Sequence, residues 1–303
     1  MRCLVTGGAG FIGGQVVQAL REAEHDVKVL DISEAADYRV DICNTAELTQ
    51  VFADAQPRVV FHIAAIADAR RVLDDPVQGV MINMGGTVSV LEAARRAGIK
   101  RVIQASTCWV ANAMGSGILD ESAVFNPTGG GHVYTTTKIA CEMLAHDFYK
   151  LYGLNFTILR YGIPYGPGMW PGLVLRNWLD SARANEPLFI FGDGSASRRF
   201  LYIEDLARAH VLALQEVAIN QTYNLEGMRA VSLKELAEVF QRVWGAISVA
   251  YRPEPTRVGE FQYLRKIISN AKAFVELGWE PKTDLEEGIR RTVEWYRAEM
   301  ITD

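Results

Sequence analysis

The sequence predicts an α/β fold of the doubly wound kind, a parallel sheet covered by helices on both faces, with a smaller C-terminal α/β lobe. Three observations carry this. The chain opens on an apolar run, RCLVT, followed at once by a glycine-rich turn and a helix-like stretch. Short apolar runs then alternate with helix-like stretches through the first half, the pattern of strands buried on both faces and joined by crossover helices. Beyond about residue 165 the texture changes to frequent punctuation, at Pro164, Gly166, Pro167, Gly168, Pro171 and Gly172.

In order, residues 2–6, 26–31, 59–63, 102–105 and 156–161 read as strands, and 13–23, 86–97 and 134–151 as helices. The segment 202–225, a helix and then TYNLE, returns to the first sheet. The division is therefore discontinuous: 1–166 and 200–226 in the sheet domain, 167–199 and 227–303 in the smaller lobe. Composition narrows the function. With 303 residues, 49% hydrophobic and 22% charged, the chain can bury one large core or two smaller ones. A net charge of −5 without a basic cluster argues against a nucleic-acid partner. No apolar run is long enough to span a membrane, and the chain enters its first strand with no signal peptide. Cys3, Cys43, Cys108 and Cys141 form no C-x-x-C pair, so neither a metal site nor a disulfide framework is expected. A reduced, cytoplasmic setting fits.

The turn after the first strand is TGGAGFIGG, in which Gly7, Gly10 and Gly13 follow G-x-x-G-x-x-G. Gly7 permits the tight turn, Gly10 lets the backbone approach a pyrophosphate, and Gly13 lets the helix pack against the strand. Phe11 and Ile12, just before the helix, are assigned to the same ligand. This is a Rossmann-type dinucleotide loop. Asp31 ends the second strand roughly 20 residues on, where an acid takes the adenosine ribose hydroxyls and repels a 2′-phosphate. NAD is thus favoured over NADP. Asp41 and Ile42 either receive the adenine edge or shape a turn.

The stretch HVYTTTKIACE, 132–142, places Tyr134 and Lys138 four residues apart on one helix face. Such a lysine can stabilise a tyrosinate or bind the same ligand; alone, the pair is as compatible with an ordinary surface. Together with TGGAGFIG, HIAA (62–65), NMGGT (83–87), LEAARRAGIKRVIQAST (91–107), LRYGIPYGPG (159–168), GDGSASRRFLYIEDLARA (192–209) and LGWEPKTDLEEGI (277–289), the chain resembles the extended short-chain dehydrogenase/reductase family, the NAD-dependent epimerase/dehydratases. The resemblance spans nearly the whole chain.

The resemblance implies roles. Ile63, Ala64 and Ala65 would pass beneath the cofactor, and Tyr161 and Ile163 would wall the nicotinamide. Thr107, Tyr134 and Lys138 would be catalytic. Tyr134 takes a proton from a sugar hydroxyl, Thr107 bridges substrate oxygen and phenol, Lys138 and the positive nicotinamide together lower the phenol pKa, and Lys138 also holds the ribose. Ser106 is the neighbour that could be confused with Thr107. Arg198 and Arg257 would meet a diphosphate, and Trp109 either walls the sugar pocket or packs. Cys108 is a candidate thiol, more in keeping with a buried one; His62 reads as a packing histidine. Arg70 and Arg71 either approach an acidic sugar or lie in a solvated loop.

Two departures matter. Cys108 and Trp109 stand where 4,6-dehydratases carry Asp-Glu and decarboxylases carry Glu, and Ile163 stands where nucleotide-sugar relatives carry Asn. The expected function is a nucleotide-sugar epimerase acting at C4 through a transient 4-keto sugar, with NAD tightly bound. The alternative is a net dehydrogenase or ketoreductase on a sugar or other small alcohol. A non-catalytic NAD sensor is disfavoured by the intact Thr107, Tyr134 and Lys138. The resemblance also implies a homodimer through the helices at 87–97 and 134–151.

Overall fold

The structure is a computed structural model that describes residues 1–253 and 266–302, so Arg257 lies outside the described residues. Its first strands are β1 (Arg2–Thr6), β2 (Asp26–Asp31), β3 (Tyr38–Arg39), β4 (Val59–His62), β5 (Arg101–Thr107), β6 (Ile118–Leu119) and β7 (Asn155–Tyr161). Then follow β8 (Ile163–Tyr165), β9 (Leu188–Phe191), β10 (Ser197–Arg198), β11 (Phe200–Tyr202), β12 (Gln221–Leu225), β13 (Val231–Ser232), β14 (Val249–Arg252) and β15 (Ile267–Ile268). The α-helices are α1 (Phe11–Glu22), α2 (Thr45–Ala55), α3 (Ala69–Asp74), α4 (Pro76–Val80), α5 (Gly86–Arg96) and α6 (Val133–Tyr152). They continue as α7 (Val174–Arg183), α8 (Ile203–Leu212), α9 (Leu233–Trp244), α10 (Ala271–Leu277) and α11 (Leu285–Thr302).

Seven strands form one parallel sheet in the order β12-β7-β5-β4-β1-β2-β3. As expected, the segment after α8 returns to this sheet, where β12 pairs with β7. The order reverses between β1 and β4, and a crevice opens there at the carboxyl ends of the strands. The apolar runs are buried on both faces. Leu4, Leu30, Val60 and Val102 share a core with Leu48 and Phe52 of α2 and Val90 and Leu91 of α5. Cys3, Val5, Val29 and Phe61 point the other way, into a core with Val16 and Leu20 of α1 and Leu206 of α8. The first helix begins two residues before the expected 13–23, and the fourth predicted strand runs over Arg101–Thr107 rather than 102–105. In both cases sheet or turn geometry extends the element beyond its apolar run.

Helix α6 is fixed to the sheet by charge. Glu142 and Arg160 pair at 2.8 Å with side chains only 3% and 5% exposed, and the Ser106 hydroxyl donates to the same Glu142 carboxylate at 2.5 Å. One glutamate thus ties α6 to β5 and β7 at once. Beyond the sheet, β9 and β14 pair in parallel, and Trp178 of α7 and Phe240 of α9 pack at 6.0 Å between centroids. The LGWEP segment docks on α8: the Trp279 indole donates to Asp205 O, and the Asp205 carboxylate accepts from the Lys282 and Thr283 amides.

Removing one member of a buried pair strands the other charge, which costs about 3–5 kcal/mol. Glu142→Ala is expected to lose that much in urea unfolding. A loss below about 1 kcal/mol would show that α6 is held by packing alone.

Candidate active site

The glycine turn is shaped by close approach. Gly7 has φ +73, and a β-carbon on it would sit 2.7 Å from Ala64 N. A β-carbon on Gly13 would fall 2.0 Å from Gly7 O, so any side chain there would push α1 off β1. Gly10 caps α1 in an extended conformation, with no side-chain cap bond and no acidic residue in the first turn. The helix therefore offers unpaired N–H groups and a positive end to an anion. Asp31, at the end of β2, accepts from Ala9 N and Ser33 N, each at 3.1 Å; a carboxylate with two oxygens keeps acceptor capacity beyond these. These features fit the pyrophosphate and ribose of a dinucleotide. Asp41 and Ile42 are not brought into the cavity described below. Asp41 Oδ1 accepts from Cys43 N at 2.9 Å, and Ile42 is buried beneath Gly86.

The end of β4 is pinned by a chain of buried hydrogen bonds. The Thr87 hydroxyl spends its proton on Asn83 O at 2.6 Å. His62 Nε2, 3.0 Å from the same hydroxyl, must therefore donate, which leaves Nδ1 to accept from Thr6 at 2.9 Å. Burial pushes this imidazole down to about 3, so it is neutral, a packing histidine. Asn83 Oδ1 accepts from Ile66 N at 2.8 Å, and its Nδ2 donates to Ile66 O and to Thr137 on α6. Asn83 lies in a π-helical turn, Met81–Gly85. The sequence reading quoted NMGGT without seeing that its asparagine joins the β4 end to α6.

Thr107 ends β5 and caps the short 3₁₀ helix Cys108–Ala113, accepting from Trp109 N at 3.2 Å. Its hydroxyl is also close enough to the Tyr134 phenol to favour the charged form. Ser106, its neighbour, faces Glu142 on the opposite side, because successive residues of a strand alternate faces. Tyr134 opens α6, where the buried His132 Nδ1 accepts from its amide at 3.0 Å, a cap the sequence reading missed. The Trp109 ring stands edge-on to Tyr134 at 5.7 Å between centroids. Lys138, one turn along, donates to Ala105 O at 3.3 Å.

Burial dominates the electrostatics of this pair. It pushes the Tyr134 phenol up to about 12, and the nearby Thr107 hydroxyl acts against it. Lys138 is itself depressed by burial, opposed by Cys141 and Glu142. Of the two charges expected to favour the phenolate, Lys138 and the nicotinamide, only the first belongs to the protein. Cys108 is buried, its Sγ 3.3 Å from Arg160 O, with burial raising its pKa far above an ordinary thiol; it is not a nucleophile at neutral pH.

A cavity of about 710 Å³ lies over the carboxyl ends of the strands. From the cofactor side it is lined by Ile12, Ile63 and Ala65, and from the catalytic side by Thr107, Trp109, Tyr134 and Lys138. Tyr161 and Ile163 form a wall, and Arg198 enters from β10. Tyr161 is locked: it bonds His210 Nε2 at 2.6 Å while the other ring nitrogen meets Leu206 O. Trp109 thus both packs and lines. Arg70 lines the cavity whereas Arg71 does not. Arg198 Nη1 donates to its neighbour's carbonyl, Ser197 O, and Trp170, which no sequence motif singles out, also lines the cavity.

Fold and site together suit a dinucleotide-dependent α/β enzyme, with Thr107, Tyr134 and Lys138 lining one cavity. Comparison with known proteins is in accord. The profile of the NAD dependent epimerase/dehydratase family matches residues 3–225, and the chain belongs to that family. It is 32% identical to the UDP-glucose 4-epimerase of Mycolicibacterium smegmatis, over 98% of this chain and 99% of that one. It is 30% identical to the dTDP-glucose 4,6-dehydratase of Salmonella typhimurium, over 98% and 93% respectively. The UDP-glucuronic acid 4-epimerase of Bacillus cereus, solved with UDP-glucuronic acid and NAD, superposes with a TM-score of 0.88 at 28% identity, covering 99% of this chain and 100% of that one. NAD is the cofactor.

Asp31→Ala removes both the ribose acceptor and the charge that repels a 2′-phosphate. NAD binding is expected to weaken at least about tenfold, the scale of one charge-assisted hydrogen bond, while NADP gains relative to it in calorimetric titration. An unchanged preference would place the discriminating acid elsewhere.

Proposed function

We propose that this chain is an NAD-dependent nucleotide-sugar 4-epimerase. The observation that carries the reading is the convergence of Thr107, Tyr134 and Lys138 on one cavity that also receives Arg198. A diphosphate suits the Arg198 guanidinium, and Arg257 is proposed as its second contact. Tyr134 accepts the proton of the sugar 4-hydroxyl at its phenolic oxygen and later returns it; Thr107 hands the proton along and orients the sugar oxygen. Lys138 holds the nicotinamide ribose. NAD, when bound, accepts a hydride from C4 and gives it back. Trp109, with Ile163, supplies an apolar wall against which a flat 4-keto sugar can turn.

Asp31, Gly7, Gly10, Phe11, Ile12, Ile63, Ala64, Ala65 and Tyr161 are the proposed cofactor contacts, with Asp41 and Ile42 proposed for the adenine edge; one Asp41 oxygen holds the turn at Cys43 N, and a carboxylate keeps acceptor capacity beyond it. The lobe of residues 167–199 and 227–303 is proposed to carry the nucleotide. A homodimer through α5 and α6 is supported by exposed apolar side chains on both, Val88 on α5 and Met143, Tyr149 and Leu151 on α6. A cytoplasmic location is proposed with it, in keeping with free thiols throughout; no helix among the described residues is long and apolar enough to cross a membrane.

Ile163 favours a second reading, net oxidation or reduction of a sugar or other small alcohol, because an aliphatic side chain lines the cavity where an amide would hold a diphosphate. Turnover with a panel of nucleotide sugars separates the two: NADH absorbance stays flat for an epimerase and climbs for a dehydrogenase.

Tyr134→Phe is expected to keep the fold and NAD while losing at least about a hundredfold in turnover, the low end for a positioned acid–base group. Near-normal turnover would remove Tyr134 from the mechanism. The product is expected to have the mass of the substrate. A product lighter by one water or one carbon dioxide would mean that a carboxylate does the work that Cys108 and Trp109 cannot, since a thiol raised by burial stays protonated and indole is only a donor.

A further inference from the structure

The turn between β8 and α7 reads GPGMWPGL, residues 166–173. Its path depends on Gly168 and Gly172, at φ +83 and +103, a region costly to other residues. Helix α7 grips it at two points. The Asn177 amide accepts from Gly172 N at 3.0 Å and donates back to Gly172 O, and Arg176 Nη1 donates to Met169 O at 3.3 Å. Met169 is buried in the main core. Trp170, next in sequence, reaches Phe11, the first residue of α1, edge to face at 5.6 Å between centroids and 76° between planes. A β-carbon on Gly168 would come 3.6 Å from the same ring.

The turn therefore joins two elements with different duties. One is the N-terminus of α1, whose uncapped amides suit the cofactor pyrophosphate. The other is α7, which lines the cavity through Val174 and Asn177. Trp170 lines the cavity as well.

We propose that Trp170 is a retaining latch for the dinucleotide, closing the cavity over the start of α1 through its contact with Phe11. While the two rings touch, a pyrophosphate held at the α1 N-terminus has Trp170 across its way out, and the latch is anchored on α7. Release of NAD requires the ring pair to part, so contacts that a substrate makes to α7 hold the cofactor in place during the reaction. The inference needs only NAD at the glycine turn; it stands or falls independently of which sugar is bound and whether the net reaction is epimerisation.

The test is the rate at which NAD leaves the holoprotein, with released NAD trapped by ethanol and alcohol dehydrogenase and read as NADH absorbance. Trp170→Ala is expected to speed release about tenfold, the scale of one aromatic pair, while Trp170→Phe, which keeps a ring on Phe11, stays within about threefold. Phe11→Leu attacks the same contact from the other side, and is expected to behave like Trp170→Ala even if that variant folds poorly. Wild-type release in both Trp170→Ala and Phe11→Leu overturns the proposal. So does a fast Trp170→Phe beside a normal Phe11→Leu, which would place the effect of Trp170 outside this ring pair.

Discussion

The helix that carries Tyr134 and Lys138 is held to the sheet by one buried carboxylate. Glu142 accepts from Ser106 on β5 and pairs with Arg160 on β7, so it sets where α6 lies against the sheet. Tyr134 and Lys138 lie eight and four residues before it on that helix, and Thr107 follows Ser106 on that strand. The side that faces the cavity is thus aligned by polar contacts on the side that does not. A buried pair is an expensive way to hold a helix, because both charges lose water. What it supplies over an apolar contact is direction: a bidentate guanidinium–carboxylate pair admits one register, whereas apolar faces slide.

The same low-dielectric setting governs the chemistry. Burial drives the Tyr134 phenol up and the Lys138 ammonium down, both toward neutrality. A neutral phenol is a poor proton acceptor at neutral pH. The protein alone therefore does not ready Tyr134 for its task. A positive charge placed beside the phenol has a large effect in such a site, because little water screens it. Oxidised nicotinamide carries such a charge, so the residues that hold it also prepare the base.

Much of this was legible in the sequence, for identifiable reasons. The strands of the sheet are continuous apolar runs, and the glycine turn is local, so both declare themselves in short windows. Tyr134 and Lys138 share a helix, and their spacing shows it. Features built from distant segments were hidden. Nothing local marks Asn83 as a partner of Ile66 and Thr137. The Glu142–Arg160 pair joins residues 18 apart in sequence through a helix and a loop. Spacing to Val110 favours Thr107 over Ser106, and strand alternation supports it, since the Ser106 hydroxyl is engaged by Glu142. The depth at which Tyr134 and Lys138 lie was hidden as well, because a sequence shows neighbours along a helix but not how much water reaches them.

The account makes hydride transfer at C4, out and back on the same cofactor, the centre of the function. A nucleotide sugar deuterated at C4 tests this most directly, with the label followed by NMR through turnover in ordinary water. The account predicts that the C4-inverted product keeps its deuterium at C4, since hydride carried on bound NAD does not exchange with solvent. Loss of the label to water, or its appearance in free NADH, would contradict it.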